Sequence, residues 1–256
     1  MPGKCAELPA RLARGGALFS PQELAWRGVP RRKPDPPTML LLVRHGLTPT
    51  TGREMPEPGP GPGLSEDGKK QAEQAGQHIS TWRGSLPPIA ALYCSPLSRT
   101  RETAGVVGKV LDLTPVERAD LVDCNAGDWA GTPLKDLAKK PEWPTVMHYP
   151  SGFCFPGGEA IRDMQARMVS AVHDLVKTYP GKTVLVVSHA DPIKSVLADA
   201  LGVHLDLFQR IVVSPGSVSA INYGSPAPSV VLVNWTGPGS QAPKLPAPGT
   251  KTEGRR

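Results

Sequence analysis

MLLLVRHG, residues Met39 to Gly46, is the stretch from which the fold of this 256-residue chain can be read. Five apolar residues follow one another without the alternation of a half-solvated strand, and the run is too short for a buried helix. Residues 39–43 are therefore expected to form a strand buried on both faces of a parallel or mixed sheet. The run stops at Arg44-His45-Gly46. Outward from it, Thr183 to Val187 (TVLVV) repeats the pattern and also ends beside a histidine, in Ser188-His189, while Ala90 to Cys94 (AALYC) runs into Ser95-Pro96. Val218 to Tyr223 and Val230 to Trp235 complete about five strands, the last two joined by a Gly, Pro and Ser rich turn.

Between these runs the period changes to that of a helix. Ile161, Met164, Met168, Val172, Leu175 and Tyr179 recur at steps of three and four, as do Ala72, Ala75, Ile79 and Trp82. Leu97 to Val110 and Ile193 to Leu201 give two more helices. Strands alternating with helices predict an α/β fold, a three-layer α/β/α sandwich with a mixed, mostly parallel central sheet.

Composition narrows the function classes. The net charge of +6 sits at the ends: residues 1–37 hold seven basic and three acidic groups, residues 236–256 four and one, leaving 18 basic and 19 acidic between. A nucleic-acid surface needs cations gathered on a folded face with base-reading or aromatic groups, and neither end offers that, so no nucleic-acid partner is expected. No apolar stretch is long enough to span a bilayer, no secretory signal is visible, and Cys5, Cys94, Cys124 and Cys154 show no CxxC pair or metal-ligand spacing. A cytoplasmic protein without a membrane partner or bound metal is expected. Residues 1–37 are expected to be a disordered or mis-assigned extension, with Met39 a candidate start, residues 38–235 the folded domain, and 236–256 a disordered basic tail. The sequence is silent on oligomeric state, with a homodimer one arrangement it allows.

Ligands of such sheets bind at the carboxyl ends of the strands, and there the unusual residues gather: Arg44, His45, Ser95, Arg99 and His189. Ser95-Pro96 and Ser188-His189 before Asp191-Pro192 read as cap-then-proline helix starts. Two helix N-termini, two guanidiniums and two imidazoles suit a phosphoryl group. His78, His148, His173 and His204 have no such setting and are expected to be structural or solvent-facing.

These residues carry a resemblance. Arg44-His45-Gly46 with Thr48, Ser95-Pro96-Leu97-Ser98-Arg99 with Thr103-Ala104, and Ser188-His189 resemble the histidine phosphatase (phosphoglycerate mutase-like) superfamily in kind and order. Leu121, Asp123, Gly127, Trp129 and Gly131 are similar to its acid-bearing segment, and Phe155-Pro156-Gly157-Gly158-Glu159 to its Pro-Gly-Gly-Glu helix start. The resemblance implies that His45 attacks phosphorus and becomes a phosphohistidine. It implies also that Arg44, Arg99 and His189 hold the equatorial oxygens, that an acid protonates the leaving alcohol, and that no cofactor is needed. Thr48 and Glu159 are candidate substrate-binding residues, although Glu159 serves equally well as a helix first-turn acid.

Two departures matter. The family's usual acid is Glu where this chain has Asp123, so Asp123, Asp128 and Glu159 all remain candidates for the proton donor. The family's Asn three residues after the Thr is Thr51 here, followed by a Pro and Gly loop over 52–64 that, with 132–158, is expected to set specificity. The Tyr-Gly and Leu-Asn-Lys pattern of bisphosphoglycerate-recycling mutases is missing after Asp123. A phosphatase acting on a small phosphomonoester is therefore expected, ahead of a phosphomutase or an idle phosphate-binding module.

Overall fold

The computed structural model describes residues 35–237. The expected terminal segments fall almost wholly outside the described residues. In chain order the elements are β1 (Thr38–Arg44), α1 (Glu66–Thr81), β2 (Ile89–Cys94), α2 (Ser98–Leu111), β3 (Pro115–Glu117), α3 (Leu134–Leu137), α4 (Trp143–His148), α5 (Ile161–Thr178), β4 (Thr183–Ser188), α6 (Ala190–Leu201), β5 (Val218–Tyr223) and β6 (Pro228–Trp235). The strands form one sheet in the order β3-β2-β4-β1-β5-β6. β1 runs parallel to β4 and antiparallel to β5, β2 is parallel to β4 and β3, and β5 and β6 are antiparallel.

β1 explains the layering. Its side chains alternate, so Met39, Leu41 and Val43 pack with Ile79 of α1 and Val107 and Leu111 of α2. Leu40 and Leu42 pack with Val172 and Leu175 of α5 and Val196 of α6 on the other face. Helices on both faces make the three-layer sandwich, and they account for the unbroken apolar run: neither face meets water. Each fully buried leucine contributes about 1.5–3 kcal/mol.

A third cluster stands apart from the sheet. Trp129, Val146, Phe153 and Phe155 pack with Leu137, Met164 of α5 and Phe208. The rings of Phe153 and Phe155 meet edge to face with centroids 5.0 Å apart, and Trp129 meets Phe155 at 5.6 Å. The segment 119–160 is thereby built into a wall beside the carboxyl ends of the strands.

Two expectations are corrected. There are six strands among the described residues, because β3 is a three-residue edge strand whose Val116 is exposed, and so it carries no apolar run. Nor do Ser95 and Ser188 cap helices. The N-cap residues of α2 and α6 are Leu97 and His189, without side-chain cap bonds. Ser188 is the last residue of β4 and Ser95 is turned to another use. The capping serine is Ser65, which accepts from Gly68 N at 3.1 Å and starts α1.

After β1 the chain passes extremely close to α1. A Cβ on Gly46 would lie 2.2 Å from the carbonyl oxygen of Gly68, and one on Gly68 would lie 2.0 Å from that of Leu47. Backbone cannot yield there as a flexible side chain can. Gly46→Ala should therefore lower stability by more than about 2 kcal/mol, whereas Gly59→Ala, whose Cβ meets nothing within 4 Å, should stay within about 0.5 kcal/mol of the parent in denaturant unfolding.

Candidate active site

His45 follows the last residue of β1, held by His45 N donating to Ser188 O of β4 at 3.0 Å. The imidazole is only 5% exposed. Its Nδ1 lies 2.8 Å from Gly46 O. A carbonyl only accepts, so Nδ1 carries the proton, and in the neutral ring the lone pair resides on Nε2. Burial, then His189, Arg99 and Arg44, hold the His45 pKa well below the usual 6.5. At neutral pH the ring is thus uncharged, with a lone pair on Nε2.

Arg99, one residue into α2 and 4% exposed, joins the site together. Its Nε donates to His189 Nδ1 at 3.2 Å and its Nη2 to Asp123 Oδ2 at 3.2 Å. Nδ1 of His189 is thus the accepting nitrogen, so the neutral ring carries its proton on Nε2, which donates to Ser95 Oγ at 3.0 Å. This is the work of Ser95. Burial and the charges of Arg99, Arg44 and Arg167 push the His189 pKa well below 6.5 too. The rings of His45 and His189 lie 5.3 Å apart. Thr103 Oγ1 donates to Arg99 O at 2.7 Å and accepts from Gly46 N at 3.1 Å, tying α2 to the residue that follows His45.

Arg44 is anchored by Nη1 donating to Val213 O at 2.7 Å, while its Nε is buried without a hydrogen-bond partner among the described residues. Burial lowers its pKa, against the pull of Asp123 and Asp191, but an arginine remains a cation. Arg44, His45, Thr48, Arg99 and Asp123 all line one cleft of about 460 Å³, and the segments 50–62 and 134–155 supply most of its remaining wall. Thr48 Oγ1 meets Thr51 Oγ1 at 2.8 Å, so Thr51 braces the loop where an Asn was the expected type. Cys124 also lines the cleft, yet burial, Glu159 and Asp123 push its thiol up, so it stays protonated and is a poor nucleophile.

The three candidate acids are separated by geometry. Asp123 lies in the cleft, its Oδ2 also 3.6 Å from His189 Nδ1. Asp128 is turned towards Gly157 and is not in the cleft lining. Glu159, expected as a candidate substrate contact, does not line it either: both its oxygens are taken by Arg167, at 3.0 and 2.9 Å. Arg167 was not foreseen. It donates to the carbonyls of Asp120, Val122 and Asp123 at 2.8, 3.1 and 3.4 Å and so fixes the backbone that presents Asp123. The only signal for it in the sequence is an arginine set between Met164 and Met168 on the inner side of α5. Among the described residues no group of three or more His, Cys, Asp or Glu could hold a metal ion, and no helix is long and apolar enough to cross a membrane.

Residues 40–236 match the family model of the histidine phosphatase superfamily (branch 1). A bifunctional protein of Mycobacterium tuberculosis is 34% identical over 231 residues, 90% of this chain; the chain spans 60% of that relative's length. A 2,3-bisphosphoglycerate-dependent phosphoglycerate mutase of Chelativorans is 34% identical over 163 residues, covering 61% of this chain and 78% of the mutase. The solved structure of a mycobacterial glucosyl-3-phosphoglycerate phosphatase superposes with a TM-score of 0.67 at 22% identity, over 77% of this chain and 99% of that one, a likeness of fold.

Two outcomes follow for stability. Between pH 6.5 and the lowered values of His45 and His189 the unfolded chain binds more protons than the folded one. Stability is thus lost as pH falls through that window, by at most about 1.4 kcal/mol per pH unit for each histidine. Unfolding in denaturant from pH 8 down to pH 5, at about unit steps, should show this decline, and His189→Gln should shallow it. Arg167→Met, which leaves Glu159 unpaired and frees three carbonyls, should cost about 2–3 kcal/mol, less than a fully buried pair because both side chains retain some exposure.

Proposed function

Because the chain belongs to the histidine phosphatase superfamily, we propose that it is a phosphatase that hydrolyses a small phosphomonoester through a phosphohistidine on His45, without a metal ion. The observation that carries this reading is the bond from His45 Nδ1 to Gly46 O, which leaves the Nε2 lone pair free in a cleft lined by the guanidiniums of Arg44 and the buried Arg99.

In the first step Nε2 of His45 attacks phosphorus as the bond to the alcohol oxygen breaks. Arg44 and Arg99 take the charge on the equatorial oxygens, which is the main lever in phosphoryl transfer. The buried, unpartnered Nε of Arg44 is a donor that a phosphoryl oxygen would satisfy, relieving a cost of about 1–3 kcal/mol. Asp123, as the carboxyl in the cleft, gives its proton to the departing alkoxide. Water then attacks the phosphohistidine, its proton passes to Asp123, and free His45 and inorganic phosphate result.

Splitting the transfer in two lets a neutral imidazole, rather than water, meet the dianion. A phosphomutase must also hold the far phosphate of a bisphosphate intermediate. Among the described residues lining the cleft, Arg44 and Arg99 are the only Arg or Lys, and both belong to the phosphoryl end. That favours hydrolysis over mutation.

Phosphate release from p-nitrophenyl and alkyl phosphates should persist in EDTA and fall by about 10⁴-fold or more in His45→Ala. Asp123→Asn should slow alkyl phosphates by about 10²–10⁴-fold but p-nitrophenyl phosphate far less, since nitrophenolate leaves without a proton. Equal losses on both esters would remove Asp123 from the acid role, and loss of activity in EDTA would overturn the metal-free route.

A further inference from the structure

Beyond the phosphoryl end the cleft turns apolar. Met55, Leu134, Trp143, Val146, Met147 and Phe155 line it, with Phe155 buried and Trp143 half-buried. They come from two clasped segments, the loop that carries Met55 and the loops with the short helices α3 and α4: Met55 N donates to Thr132 O at 2.9 Å, Gly131 N to Met55 O at 3.0 Å and Leu134 N to Arg53 O at 2.8 Å, and Glu54 bridges Pro133. The aromatic wall is backed by the Trp129, Phe153 and Phe155 cluster, so its shape is set by packing.

The charges on this part of the cleft have one sign. Apart from Asp123, the acidic lining residues are Glu54, Glu57 and Asp191. Asp191 is neutralised by Lys194 at 3.1 Å, and that ammonium also donates to Gln209 Oε1 at 2.8 Å, so it is already engaged. Glu54 and Glu57 are exposed and have no ion-pair partner among the described residues. A carboxylate or second phosphate on the alcohol would lose water against an apolar wall, meet no cation and face two glutamates. An aromatic or alicyclic body would gain from burial and from the ring of Trp143.

Taking the hydrolytic reading as given, we infer that the substrate is a phosphomonoester whose alcohol is an apolar, ring-sized group bearing no negative charge. The clasped loops thus select by charge as well as by shape, and phosphoglycerates and sugar bisphosphates are excluded at the glutamate rim.

The test compares 2-phenylethyl phosphate with 3-phosphoglycerate, two esters with alkyl leaving groups, on the full chain. Wild type should favour the former in kcat/KM by about 100-fold. Glu54→Lys with Glu57→Lys should raise the rate on 3-phosphoglycerate by about tenfold, and Trp143→Ala should raise KM for 2-phenylethyl phosphate by about tenfold. Calorimetry with the non-hydrolysable 3-phenylpropylphosphonate and 4-phosphonobutyrate reads the same preference without turnover, and the former should bind more tightly. Equal or better use of 3-phosphoglycerate, or equal binding of the two phosphonates, overturns the inference and leaves the phosphatase reading standing. Turnover of neither ester overturns that reading, while the phosphonate affinities still decide the preference of the cleft.

Discussion

The site depends on one buried cation. Arg99 donates to His189 and to Asp123, and its carbonyl accepts from Thr103, whose hydroxyl in turn accepts from Gly46 N. Through one residue of α2, the end of β1, the start of α6 and the acid-bearing loop are held in a common frame. Burying a guanidinium costs several kcal/mol unless its donors are used. Here a carboxylate and an imidazole lone pair use them, and an incoming phosphoryl group would meet a donor array already in place, with little left to reorganise.

The neutrality of the two imidazoles follows from the same frame. Each is desolvated and each has guanidinium charge nearby, so both resist protonation. Each also has its tautomer set by a fixed partner: the Gly46 carbonyl takes the Nδ1 proton of His45, and Arg99 takes the Nδ1 lone pair of His189. One ring is left with a free basic nitrogen and the other with an N–H on Nε2. A cluster that looks symmetrical in composition is therefore asymmetrical in hydrogen bonding.

The wall opposite is held by a separate device. Arg167 spans from α5 to three carbonyls around Asp123 and is itself gripped by Glu159, while the aromatic cluster of Trp129, Phe153 and Phe155 packs behind. An aspartate one methylene shorter than the family's usual glutamate still reaches Arg99 and the edge of His189 because its backbone is pinned close to them. The cleft that results is cationic at one end and acidic at its rim, although the region between the two ends of the chain is nearly neutral. The placement of charge, and not its sum, sets the field inside the cleft.

Much of this was legible in residue order. The apolar run at 39–43 could only be a strand covered on both faces, the three- and four-residue steps of Met164, Met168 and Val172 could only be a helix over it, and Arg44, His45, Arg99 and His189 stood at strand or helix ends where such sheets bind ligands. These are local signals, written in adjacent or periodic residues. What the sequence left open was the choice among Asp123, Asp128 and Glu159, the work of Ser95, the part played by Arg167, and the character of the two specificity loops. Each of those rests on contacts between residues tens of positions apart, such as Ser95 with His189 or Arg167 with Asp120, and no period or spacing records them. The strand pattern determined that Arg44, His45, Arg99 and His189 stand at one edge of the sheet; only the packing of distant segments decided which carboxylate faces that edge and that the rest of the cleft is apolar with an acidic rim.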